Sequence, residues 1–268
     1  MAIGAEAAAG MLALRANDGR LTVLAPYVAG TLPGQFRGPN PVNRIAPYVR
    51  PFATLSHSQF RAPGPLTLGS DAYAIDFNEV KAMASAASTQ RSAEQTEVAR
   101  FHTEPPPTFW SRNLRRFATA NASLAENARL TAMIWTAYQD AISGCFESKY
   151  HYKFWRPNSA ITLAETDGNA ATRADAAWTP VVPTPNHPEY PAAHGCGSGA
   201  VAEVVRSFYA TKSVAFEFDS SVTGMTHHCA RTDIWSRKSS TRESGAACTS
   251  APRASTAPSS ASRSPSGS

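Results

Sequence analysis

Apolar residues recur at helical spacing through much of the chain, and no strand-like alternation of useful length interrupts them. Ala5 to Asn17 carries Met11, Leu12 and Leu14 in an alanine-rich context, which predicts a helix stopped by Asp18 and Gly19. From Pro26 to Pro65 prolines and glycines fall every few residues, so irregular surface structure is expected there. Three successive helices are predicted over Asp71 to Ala87, Thr89 to His102 and Thr108 to Ala120, with Pro105, Pro106 and Pro107 dividing the last two. Asn121, Ser123 and Glu126 then open a long helix running toward Lys149. Leu124, Ala128, Ala132, Ile134, Tyr138, Ala141 and Ile142 give it one apolar face. Ala164 to Pro191 is turn-rich. Helical character returns over Ala192 to Tyr209, where Val201, Val204, Val205 and Phe208 form a stripe. The expected class is all-α: a helical bundle with Pro-rich irregular connections and no internal repeat.

After about Thr232 the composition changes. Ser236 to Ser268 is rich in serine, arginine, alanine, threonine and proline, and large apolar residues all but vanish after Trp235. Such a segment buries too little surface to offset its ordering entropy, so disorder is expected. Two parts follow from this: a helical domain over 1–232, with accessory helices ahead of a core at roughly 122–232, and a low-complexity tail over 233–268.

Composition narrows the function without deciding it. A chain of 268 residues with 43% hydrophobic and 17% charged residues can bury a real core. No apolar run of about 18 residues is present to span a bilayer. Met1 to Gly10 is small and apolar but has no basic start and contains Glu6, so no signal peptide is read. The first helix begins almost at once, as in a chain whose start is internal. The net charge of +5 comes mostly from Arg237, Lys238, Arg242, Arg253 and Arg263, and no basic stripe with interleaved aromatics exists to bind nucleic acid. Cys145, Cys196, Cys229 and Cys248 lack metal-site and disulfide spacing. A zinc site from His227, His228 and Cys229 is a weak alternative, because no second pair of ligands is evident.

Two constellations carry candidate chemistry. Lys149 and Arg156 are seven positions apart, nearly two turns, so on one helix both cations would project from one face. A guanidinium fork beside an ammonium suits a tetrahedral oxyanion; a solvated basic face is the plainer alternative. The second is Thr184-Pro-Asn-His-Pro-Glu-Tyr-Pro-Ala-Ala-His194-Gly195. His194 follows Pro191 at a helix start, where outward N–H groups favour anions and an imidazole can pass a proton near neutral pH. A structural histidine capping a loop is the plainer alternative there.

Lys149-x6-Arg156-Pro157 followed by Pro191-Ala192-Ala193-His194 resembles the first two of three signature motifs of the superfamily joining vanadium haloperoxidases to type 2 phosphatidic acid phosphatases. The text around them, Phe154-Trp-Arg-Pro, Thr166-Asp-Gly-Asn and His187-Pro-Glu-Tyr-Pro, is similar to its soluble haloperoxidase-like branch. The likeness extends from about Ser58 to about Thr226. The resemblance implies a helical bundle that binds vanadate or phosphate. Lys149 and Arg156 would hold equatorial oxygens, together with backbone at Ala192 and Ala193, and His194 would be the acid–base histidine. It implies small-molecule substrates: halide and peroxide in haloperoxidases, or a phosphate ester in the phosphatases. Ala192 and Ala193 stand where the motif usually has serine and glycine, so a hydroxyl donor is lost, at about 1–3 kcal/mol.

A third motif, Arg-x5-His, should supply the vanadium-ligating or phosphorus-attacking histidine, and no such spacing follows His194. The chain as written is therefore expected to hold no metal-ligating residue and to lack turnover. The tail offers an explanation. Each shifted codon can be read as the third base of one residue plus the first two of the next. From Ile234 onward the permitted codons then allow an apolar stretch with an arginine across Arg242/Glu243. Only histidine or tyrosine is possible across Cys248/Thr249, which restores the missing spacing. A single-base frame-shift near Asp233 or Ile234 is the resulting expectation.

Overall fold

The structure is a computed structural model that describes residues 2–118, 122–211 and 214–229. The tail and its expected frame-shift lie outside the described residues. Seven α-helices are described: α1 (Ala2–Leu14), α2 (Asp71–Met83), α3 (Ala93–Phe101), α4 (Pro106–Asn113), α5 (Leu124–Tyr152), α6 (Pro157–Thr162) and α7 (Ala193–Phe208). The helical bundle is as the periodicity predicts, with one addition to the all-α expectation. Phe216–Asp219 (β1) and Thr226–Cys229 (β2) form a short antiparallel pair in which Phe216 faces Cys229 and Asp219 faces Thr226 along the register. Phe216 and Phe218 are buried while Glu217 is exposed, a four-residue alternation easily passed over in a helical chain.

Local chemistry sets the long helix. Ser123 accepts a hydrogen bond from the Glu126 N–H at 3.2 Å, and the Glu126 carboxylate accepts from the Ser123 N–H at 2.8 Å, a reciprocal cap. The buried stripe of α5 begins later than expected. Leu124, Ala128 and Ala132 are exposed, whereas Leu130, Ile134, Tyr138, Cys145 and Phe146 are buried. The first turns of α5 therefore stand clear of the core. The α7 stripe is as predicted, with Val201 and Val205 fully buried.

Two apolar clusters organise the molecule. One gathers Phe101, Phe109, Trp110, Phe117, Ile134, Tyr138, Val201, Val205, Phe216 and Phe218 around the contact of α5 with α7. The other gathers Tyr73, Phe77, Phe154, Trp155, Ile161, Trp178 and Tyr190 around α2 and α6. The helices of the first cluster approach closely: a Cβ added at Gly197 of α7 would lie 2.6 Å from Tyr138 Cε2 of α5. By contrast α1 contains no buried residue. Among the described residues, no helix is long and apolar enough to cross a membrane.

Candidate functional site

The chain passes from one cluster to the other at the end of α5, and both candidate cations sit at that passage. Lys149 lies in the last turn of α5 and is 1% exposed. The expectation that Arg156 shares its helix face is corrected by the structure. The helix ends at Tyr152, and Lys153 turns left-handed at φ 49° while donating its N–H to the Lys149 carbonyl at 2.8 Å. Pro157 biases Arg156 toward extended backbone, observed at φ −85° and ψ 155°, so Arg156 precedes α6 as its N-cap. Backbone bonds from Phe36 to Lys153 (2.7 Å) and from Trp155 to Gly34 (2.8 Å) hold the connection in place.

The two cations nevertheless meet, on a segment of the second motif. Lys149 Nζ donates to the Pro188 carbonyl at 3.0 Å and to the Glu189 carbonyl at 2.6 Å. Arg156 Nη1 donates to the Glu189 carboxylate, forming an ion pair with both side chains buried. The Glu189 N–H is tied to the Phe154 carbonyl at 3.0 Å. Arg156 Nε is buried with no hydrogen-bond partner among the described residues. Glu189 was absent from the sequence-based candidates. A lone carboxylate between Pro188 and Tyr190-Pro191 was the available signal, since an acid set in so apolar a run tends to be buried against a cation.

Five residues beyond Glu189 comes His194, half-buried, as the second residue of α7, with Ala192 as N-cap and Ala193 as first residue. The first bond of the α7 ladder runs from Cys196 N–H to the Ala192 carbonyl at 3.0 Å, so the N–H groups of Ala193, His194 and Gly195 precede it and face the helix start. This start is held to α5 by the Cys145 thiol, 3.7 Å from the Pro191 carbonyl, and by the Gly197–Tyr138 approach. Glu189 also lines a cavity of about 30 Å³ with Tyr73, Asp76, Phe154 and Trp155. The Trp155 indole N–H is buried without a partner among the described residues.

His187, His227 and His228 have other partners. His187 Nδ1 lies 3.0 Å from the Pro188 carbonyl, with its ring against Phe146. His227 pairs with Glu97 at 2.7 Å and stacks on Phe101 at a 4.0 Å centroid distance. His228 meets Glu217 at 2.9 Å. These separate partnerships disfavour the zinc alternative, and among the described residues no His, Cys, Asp and Glu group is placed to hold a metal ion.

Residues 129–250 match the profile of the second helical-bundle domain of vanadium chloroperoxidase. Vanadium chloroperoxidase of Curvularia inaequalis is 31% identical over 124 residues, which cover 39% of this chain and 20% of that protein. Over this region the chain is similar to the vanadium haloperoxidases. Solved vanadium haloperoxidases share its fold. A bacterial vanadium-dependent iodoperoxidase superposes with a TM-score of 0.64 at 21% identity, covering 80% of this chain and 54% of that one. An apo bacterial vanadium-dependent chloroperoxidase gives 0.72 at 14% identity, over 91% of this chain and 68% of that one. The chain thus spans a fifth of the curated relative and about half of the iodoperoxidase structure.

Against a haloperoxidase's cofactor, the described residues fit in part. A buried ammonium, a buried guanidinium with an unpartnered Nε and the open start of α7 are donors suited to the oxygens of vanadate. The described residues do not place an imidazole where it would bond the metal.

Proposed function

We propose that this chain carries the oxyanion-binding part of a vanadium haloperoxidase-like enzyme. Lys149 Nζ and Arg156 Nε would donate to oxygens of vanadate, the backbone N–H of Ala193 would add a third donor, and Ala192 is the N-cap ahead of it. His194 is the acid–base residue, moving a proton at its ring nitrogen as oxygen is released. Bound vanadate supplies the activation of peroxide that oxidises halide. The carrying observation is the convergence of Lys149 and Arg156 on Pro188–Glu189, five residues ahead of His194, with a buried guanidinium donor left over. The relatives' own names favour halide oxidation over ester hydrolysis.

The chain as written binds the oxyanion but turns over nothing above background, because the third-motif histidine is displaced by the frame-shift near Asp233 or Ile234. Sequencing the gene across that point tests this directly: codons unable to spell Arg-x5-His in the shifted frame would reject it. The family match itself runs on to residue 250. For function, protein restored to the alternative frame is assayed for bromide oxidation and for phosphomonoester hydrolysis, with and without vanadate. Vanadate-stimulated bromide oxidation is expected; ester cleavage that vanadate merely inhibits would favour a phosphomonoesterase instead.

A further inference from the structure

Two cations and one carboxylate share the Pro188–Glu189 segment, and Glu189 serves both cations at once. Its carboxylate holds Arg156 Nη1, and its carbonyl receives Lys149 Nζ at 2.6 Å. Its own N–H is fixed 3.0 Å from the carbonyl of Phe154, two residues before Arg156. A purely structural pair would use every buried donor, since an unsatisfied one costs stability. Here the guanidinium is held by its Nη1 end, while Nε is buried with no partner among the described residues.

We propose that Glu189 is a positioning residue of the anion cradle, fixing the Arg156 guanidinium before an anion arrives and offsetting one of the cradle's two positive charges. The carboxylate takes the Nη1 end and so aims the Nε donor at the anion. Offsetting one charge tempers the cradle's affinity for dianions in a site where water screens little. The proposal rests on the oxyanion reading above and adds to it a residue outside the motif positions.

Sulfate is a suitable probe, because it is tetrahedral and stays dianionic across the working pH range. Binding is measured by titration calorimetry on the full chain, with each variant's fold checked by circular dichroism. Glu189→Gln keeps an acceptor for Nη1 but removes the charge, and is expected to bind sulfate about fivefold or more tightly than the unmodified protein. Glu189→Ala removes both acceptor and charge, leaves the guanidinium free to turn, and is expected to bind less tightly than Glu189→Gln. A residue that only supports the fold would weaken binding in both variants alike. If sulfate binds but is indifferent to both Lys149→Met and Arg156→Gln, the oxyanion reading itself is wrong. If those substitutions abolish binding while folded Glu189→Gln binds no better than the unmodified protein, only the positioning role is overturned. Should Glu189→Gln not fold, the unmodified protein still decides. An Arg156 Nε–H resonance is expected before sulfate is added and should shift on its addition; its absence until sulfate is present would overturn the proposal.

Discussion

Two glutamates of this chain, Glu104 and Glu189, each bind an arginine, and the contrast between them separates a fold-closing pair from a ligand-ready one. Glu104 takes both prongs of Arg112, at 2.6 and 2.5 Å, and accepts the Ser221 N–H at 3.1 Å. Arg112 also donates to the Asp219 carbonyl at 2.8 Å, and Asn113 brackets that residue from both sides at 3.0 Å. The β1–β2 pair is thereby fastened to α4. The Arg112 hydrogen bonds, against the cost of burial, hold the Glu104 carboxyl down at about 2. Arg112 remains 33% exposed, so water shares its charge. Glu189 faces a different situation: its arginine is buried, a second buried cation leans on its backbone, and one donor has no described partner. An excess of buried charge with a spare donor is what the proposed anion cradle rests on.

The largest effect is expected from breaking the buried pair alone. Arg156→Met leaves Glu189 buried beside one remaining cation and should cost about 3 kcal/mol or more in urea unfolding, much of it recovered when Glu189→Gln is added. Gly197→Val tests whether the close approach of α5 and α7 holds the cradle's two halves together. Overpacking against Tyr138 should cost about 2–3 kcal/mol and weaken sulfate binding as the start of α7 shifts against α5.

At the other pair, Glu104→Gln should cost less, about 2 kcal/mol, because exposed Arg112 is resolvated. It should also leave sulfate binding untouched. Its acid signature is distinctive. A carboxyl depressed in the folded state stabilises above its unfolded value and loses that contribution as pH falls toward the folded one. For Glu104 the loss runs from about pH 4.5 down to about 2, and Glu104→Gln should flatten the stability curve there. Asp140 adds a loss in the same direction on acidification: burial raises its carboxyl, but the N–H groups of Phe52, Ala53 and Thr54 outweigh burial and lower it. The smallest effect sits between the two cations. Lys153→Gly relieves a left-handed residue and should raise stability by about 0.5–1 kcal/mol without altering binding.

Much of the fold was legible because it rests on local rules. Ser123 and Glu126 announced α5, and the valines of α7 announced its buried face, whereas the short α6 that starts at Pro157 was not foreseen. The β1–β2 pair was missed because four alternating residues carry too little pattern to stand out in a helical chain. Lys149, Arg156 and His194 were picked as candidates from motif spacing, but the way the two cations are brought together was misjudged. Spacing assumed one continuous helix, whereas Lys153 breaks it and the cations meet through tertiary contacts to Pro188–Glu189. Glu189 escaped notice for a related reason. The apolar run around it signals burial against a cation, but its partner lies 33 positions away and local pattern does not say which cation that is.

Where an oxyanion binds would be shown most directly by crystals of the full chain soaked in vanadate. Density within hydrogen-bond reach of Lys149 Nζ and Arg156 Nε, beside the first turn of α7, is the predicted result. Density seated elsewhere, or none at saturating vanadate, would contradict it.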